Sequence, residues 1–320
     1  ILLVFTVTRV LFIPQGEFVA FGALTMAAIQ AGKPVLLVWL LLAFALAEAA
    51  ADLVARAKRP GRARGLWRIA AKAIYPLVLA ALFYRLPLAQ LPMSVQALLT
   101  LLLVVPMGPQ LYRLFYQPIA SASTLVLLIV SIAVHLALVG LGLLAFGAEG
   151  ARTAPFSDAS LALGPININS QALWVVAVSA VLIIVLYQFF ERSMYGKALR
   201  AAAFNRLGAR LMGISPIFAG RATFFLAALI GTVSGILIAP ITTMYFDSGF
   251  MVSLKGFVGA IIGGLVSYPL AAAGAILVGL IEAFSSFWAS AYKEIIVFTL
   301  IIPVLLWRSL KSHHVEEEDE

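Results

Sequence analysis

The sequence predicts an all-α, polytopic helical membrane protein with roughly 8–11 transmembrane segments, some of them short or broken. Three observations carry this. The chain is 63% apolar and only 11% charged, with a mean hydropathy of +1.05, whereas a soluble domain is about half apolar and a quarter charged. Apolar runs long enough to span recur along the chain, separated by short polar turns. Sixteen of the 22 bases fall on one side of the resulting alternation, a bias that makes that side cytosolic. The net charge of +8 therefore belongs to topology and gives no reason to expect nucleic acid.

Ile1 to Ile13 reads as the second half of a span that starts before this numbering. Pro14-Gln15-Gly16-Glu17 should break the helix, and Phe18 to about Ile29 resumes it. Breaks at membrane depth survive only where they are buried in protein or line a cavity. Arg9 and Glu17 either mark the cytosolic ends of two short spans or flank a broken helix near a pathway. After the Ala31-Gly32-Lys33-Pro34 turn, a span from Val35 to about Ala55 carries Glu48 and Asp52. The block from Arg56 to Lys72 holds seven bases and no acid, so it is cytosolic, with Trp67 as an interfacial anchor.

A span from Ala73 to Leu86 leads to an outer turn, Pro87 to Pro92, and the next, Val95 to Leu111, should kink at Pro106 and Pro109. Thr124 to Phe146 is the cleanest span. Its His135 is expected to be a helix-packing residue, with no partner apparent in the sequence. Ala148 to Ser170, rich in Gly, Pro, Ser and Asn, is the largest exterior loop and is expected merely to connect. Ala172 to Phe190 follows. Phe218 to Ile238 is rich in the small residues that let helices approach closely.

Met251 to Val266 holds Lys255, Gly259, Gly263 and Gly264. A lysine there should face protein or water, near Asp247 or Glu282. Gly231 and Gly235, like Gly259 and Gly263, repeat four apart and leave strips of nearly bare backbone. Those strips pack against a partner, line a path, or pack within the chain. Ala271 to Phe287 contains Glu282, and Ile295 to Trp307 is the last span. Residues 1–311 thus form one transmembrane domain, and 312–320 an acidic cytosolic tail.

The most distinctive stretch is the cytosolic loop 191–217. It carries Arg192, Lys197, Arg200, Arg206 and Arg210 against one acid, Glu191. A helix is expected over Tyr195 to Ile214. Tyr195, Leu199, Ala203, Leu207 and Leu211 then form an i, i+4 apolar row beside cationic rows. Gly213 followed by Pro216 stops it. The segment is either a helix that docks a cytosolic partner or a solvated loop that fixes topology.

With no cysteine, disulfides and thiolate sites are excluded. No phosphate loop GxxxxGK[ST] and no HExxH occurs, so ATP hydrolysis by that loop and zinc-protease chemistry are excluded from this chain. No metal site is expected. Three functions remain: the permease of a multi-subunit pump, a self-contained secondary transporter, and a membrane-embedded enzyme. The enzyme lacks a workable set of acid, base and nucleophile within the spans. The transporter lacks a convincing repeat.

The stretch Gly196-Lys197-Ala198-Leu199-Arg200-Ala201, through Asn205, to Ala209-Arg210-Leu211-Met212-Gly213-Ile214 resembles the cytosolic loop of high-affinity branched-chain amino acid ABC importer permeases. Leu254-Lys255-Gly256-Phe257, Gly263-Gly264, Gly279-Leu280-Ile281-Glu282-Ala283 and Tyr292-Lys293-Glu294 extend the resemblance, as do Gln15-Gly16-Glu17-Phe18 and Tyr116-Gln117-Pro118. Urea permeases share much of this pattern. Departures fall at Phe12-Ile13-Pro14-Gln15-Gly16, at Leu270, at Trp307-Arg308-Ser309-Leu310, and in the basic insert and span from Arg56 to about Leu86.

The resemblance implies a bacterial inner-membrane permease working with a second homologous permease, two cytosolic ATPases that hold ATP and Mg, and a periplasmic solute-binding protein. It implies no cofactor in this chain. Tyr195, Gly196, Leu199, Arg200, Ala203, Arg206, Leu207, Arg210 and Gly213 would couple to the ATPases. Gln15, Gly16, Glu17, Lys255, Gly259, Gly263, Gly264 and Glu282 are the candidates for a helix break or translocation path.

Overall fold

A helix that is apolar on every side has no face to give to water, so it belongs inside a bundle. Gln15–Gln30 is such a helix, and nearly all of its residues are buried. The computed structural model describes residues 1–58, 66–157, 159–163, 166–263 and 268–311. In it, α1 (Leu2–Thr8) precedes this central α2 (Gln15–Gln30). Next come α3 (Leu37–Lys58), α4 (Leu66–Arg85), α5 (Met93–Val104), α6 (Met107–Leu111), α7 (Thr124–Phe146) and α8 (Ser170–Arg192). The base-rich loop folds as α9 (Met194–Phe204) and α10 (Arg206–Leu211). The chain closes with α11 (Pro216–Ile238), α12 (Ser248–Ile262), α13 (Tyr268–Trp288), α14 (Lys293–Thr299) and α15 (Ile301–Lys311).

Six helical stretches among the described residues are long and apolar enough to cross a membrane, in α3, α5 through the following turns, α7, α8, α11 and α13. Shorter or broken helices lie among them. The expected polytopic α-helical architecture holds. One addition to it is the antiparallel hairpin of β1 (Ser160–Leu163) and β2 (Ile166–Asn169), with Leu161 opposite Ile168, in the loop between α7 and α8. The expected kink is a full interruption: α5 stops at Val104, α6 resumes after Pro106, and a π-helical turn spans Tyr112–Tyr116. The last span is likewise cut, at Leu300.

Close backbone approach explains where the glycine strips go. A Cβ on Gly22 would lie 2.8 Å from the Thr232 carbonyl oxygen, and one on Gly231 would lie 2.8 Å from Phe18 Cβ. The strip of α11 is therefore filled by α2. A Cβ on Gly259 would come within 3.0 Å of Ala275 Cα, and one on Gly263 within 2.5 Å of Ala271 N. The α12 strip is filled by α13. Both strips thus make packing contacts within the chain, and Gly231 also lines a cavity with Gln15 and Gly16. Gly264 lies outside the described residues, as do Arg59, Arg62, Arg64 and the tail 312–320.

Polar contacts gather at the two ends of the bundle. At one end, Thr153 N donates to Ala239 O at 3.3 Å, and Ala154 N to Gln30 Oε1 at 2.9 Å. The buried Gln171 amide accepts from Phe156 N at 3.0 Å and donates to Leu237 O at 2.9 Å. The loop expected only to connect is thus fastened onto α2, α8 and α11. At the base-rich end, Lys72 of α4 reaches Glu48 at 3.0 Å and Asp52 at 2.7 Å, both on α3. Arg113 from the π-helical turn binds Glu48 at 2.9 Å and also pairs with Asp52. Two acids and two bases cancel, so α4 is tied to the bundle without leaving a half-buried charge unmatched.

Candidate functional site

Two local signals build the base-rich loop. Ser193 Oγ accepts from Gly196 N at 2.9 Å and opens α9, while Asn205 Oδ1 accepts from Gly208 N at 2.8 Å and opens α10. The single helix expected over Tyr195 to Ile214 is therefore broken. Asn205 sits in extended backbone, φ −146° and ψ 101°, because a short amide side chain caps a helix better than it continues one.

That break resets the helical phase, and the expected apolar row splits. Leu199 is fully buried. With Ala202 and Ala209 it packs against Leu3 and Val7 of α1 and Ala219 of α11. Ala203 is partly buried against the same cluster. Tyr195, Leu207 and Leu211 point away and stand 65%, 71% and 80% exposed, beside Phe204 at 96%. Arg200 pairs with Glu191 at 2.6 Å on the surface, Arg210 is exposed, and the backbone of Arg206 opens α10. Gly196 is required at the α8–α9 corner, where a Cβ would lie 2.7 Å from Phe190 Cα. Gly213 ends the loop at φ 83°, a conformation that suits glycine.

The second candidate region is the break before α2. Its outcome separates residues grouped together by the sequence. Gln15 and Gly16 line a cavity of about 260 Å³ with Ser234 of α11 and Ser253 and Gly256 of α12. The walls are mostly apolar, and the polar side chains among them are neutral. Gly16 also meets α12 backbone to backbone: a Cβ on Gly249 would lie 2.6 Å from Gly16 O.

Glu17 lies in the first turn of α2 and is not solvated there. It is 1% exposed, with Oε1 3.0 Å from His135 Nδ1 on α7, and the His135 ring stacks on Phe250 at 5.0 Å. The pairing was missed because neither residue names the other in sequence. The available signal was that both are unmatched polar groups inside apolar runs.

Lys255 pairs with Glu282, at 2.6 Å, and not with the other expected acid, Asp247; it also binds Glu294 of α14 at 3.1 Å. This triad ties α12 to α13 and α14, while Gly259 and Gly263 belong to the α12–α13 seam. Lys255→Met leaves two neighbouring carboxylates without their cation. Its expected cost is on the order of 2 kcal/mol, below that of a fully buried pair because the three side chains are 22%, 28% and 38% exposed. Thermal unfolding in detergent checks this, with Lys255→Arg holding near the parent. No group of three or more His, Cys, Asp or Glu able to hold a metal ion occurs among the described residues.

The profile of the family described as branched-chain amino acid transport system / permease component matches residues 63–305. The chain belongs to this family. The matched part of the permease includes the whole α9–α10 loop and all of α4, so from residue 63 on the basic insert and its span do not lie outside the family pattern as expected. The permease is similar to the high-affinity branched-chain amino acid transport system permease protein LivH of Escherichia coli (strain K12). The two are 29% identical over 210 residues, which cover 62% of this chain and 67% of that relative. LivH of Salmonella typhimurium gives the same figures. The corresponding permease protein BraD of Pseudomonas aeruginosa is 26% identical over 208 residues, covering 63% of this chain and 68% of the relative. No solved structure matches the permease.

Proposed function

We propose that this permease is the membrane-spanning component of an ATP-driven importer for branched-chain, hydrophobic amino acids in a bacterial inner membrane. A second homologous permease completes the membrane part. Two cytosolic ATPases hold the ATP and Mg, and a periplasmic binding protein delivers and largely selects the solute. The observation that carries this is the outward apolar rim of α9 and α10. Tyr195, Phe204, Leu207 and Leu211 are exposed on a base-rich loop beyond the spans. Large apolar side chains left exposed on a charged segment point to a protein contact. In a permease whose own sequence contains no phosphate loop, the partner that the loop must meet is the ATPase.

The solute class rests on the relatives, which are high-affinity branched-chain amino acid transport system permease proteins. Reconstitution of the permease with its partner permease, ATPases and binding protein in sealed vesicles tests this. ATP-dependent uptake of leucine, isoleucine and valine is expected. Uptake of urea or an organic acid with none of leucine would replace the proposed solute.

A further inference from the structure

We propose that Tyr75 fixes the break between α5 and α6, its hydroxyl standing in for the N–H that Pro106 lacks, and that this break positions the floor beneath the α9–α10 loop. The use of that floor rests on the reading of the loop as the ATPase contact; the hydrogen bond does not. In an α-helix the Leu102 carbonyl would accept from residue 106, four positions on. Residue 106 is proline and has no N–H to give. The next donor along the chain, Val105 N, goes to Leu101 O at 3.0 Å. The Tyr75 hydroxyl reaches across from α4 and donates to Leu102 O at 2.5 Å.

The surroundings make this bond matter. Tyr75 lies halfway along α4, and Leu102 lies within Met93–Ile119, a stretch apolar and long enough to cross a membrane. The two residues are 40% and 38% exposed on the outside of the bundle. In hydrocarbon no water replaces a missing donor, so a carbonyl left alone there is costly. Elsewhere α4 is tied to α3, by Lys72 at one end and by Tyr84, which accepts from Trp39 Nε1 at 3.0 Å, at the other. Tyr75, between them, is the tie that reaches α5.

Beyond the break, the chain from Pro106 to Tyr116 is seated on three helices. A Cβ on Gly108 would lie 2.8 Å from Ala228 Cβ of α11. The rings of Tyr112 and Tyr116 each lie 5.1 Å from that of Phe224, also on α11. The Tyr116 hydroxyl donates to Ser131 Oγ of α7 at 3.2 Å, and Arg113 holds the two acids of α3. Tyr112 and Tyr116 then wall a cavity of about 100 Å³ that Ala202, Ala209 and Ile214 of the loop line from the other side. A break shifted by loss of its donor therefore displaces the surface that faces the loop. Tyr75 is a positioning residue, acting through the break.

The permease alone, in lipid nanodiscs, gives the first test. Tyr75→Phe should lower its melting temperature by several degrees, because the Leu102 carbonyl is left unpaired. Pro106→Ala returns an N–H to the helix, so in that background Tyr75→Phe should cost little. Replacement of Tyr75 by para-aminophenylalanine keeps a donor in the same place and should hold near the parent, whether or not Pro106→Ala folds. A melting temperature of Tyr75→Phe equal to the parent's overturns the inference. So does an equal loss with para-aminophenylalanine or in the Pro106→Ala background. The assembled transporter in vesicles gives the second test, at a temperature where Tyr75→Phe stays folded. Leucine uptake should fall several-fold and return with para-aminophenylalanine, whereas uptake equal to the parent's overturns the positioning role. A parent complex that binds no ATPase defeats the reading of the loop instead, and the melting comparison still decides the hydrogen bond.

Discussion

Leu207→Asp should abolish solute uptake and leave the permease folded. Leu207 is 71% exposed, so an aspartate there meets water in the isolated permease and removes no internal packing. In the docked complex the same carboxylate would be enclosed against an apolar surface. Docking should weaken by on the order of 3 kcal/mol, roughly a hundredfold in affinity. ATPase co-purification and vesicle uptake should fall together while the melting temperature of the permease holds. Leu199→Asp gives the contrast. Leu199 is fully buried against α1, so a charge there should prevent folding and leave little protein in the membrane. Undiminished uptake by Leu207→Asp would sink the docking role of the loop.

Gly16→Val should be the most damaging single substitution inside the bundle. Its Cβ would fall on the Gly249 carbonyl, and on the opposite helix a Cβ at Gly249 would lie 2.8 Å from Glu17 N. Both obstacles are backbone and cannot swing aside, so α2 and α12 must separate. Separation also disturbs the adjoining Glu17–His135 pair and the cavity at Gln15. The loss should exceed the roughly 1–3 kcal/mol of ordinary overpacking. Gly140 and Gly279, where a Cβ meets nothing within 4 Å, provide the controls: alanine there should be neutral. Membrane yield and melting temperature of Gly16→Val equal to those of Gly140→Ala would refute the crossing.

Much of the loop's local structure was legible beforehand. Gly213 with Pro216 marks the stop, whereas the capping by Ser193 and Asn205 was not read from the sequence. What the expected single helix overlooked was that Asn205 can start a helix as readily as interrupt one. That local choice decided which of the leucines faces inward. The site before α2 was only half legible. Pro14 and Gly16 announced a break, but not what surrounds it.

The sequence by itself determined the class and the family. These follow from the number of apolar residues and the motif residues from Gly196 to Ile214. Each can be read without knowing any contact. Tertiary structure alone decided which helix fills each glycine strip, that Glu17 meets His135, and that Lys255 takes Glu294 as well as Glu282. The reason is physical. In a soluble helix, water sorts apolar from polar faces and writes the inside into the sequence period. In a bilayer, lipid and protein interior are both apolar, so a spanning helix carries little such record. Its orientation is set by close packing and by the few polar groups that must find one another, and those partners are chosen only when the bundle assembles.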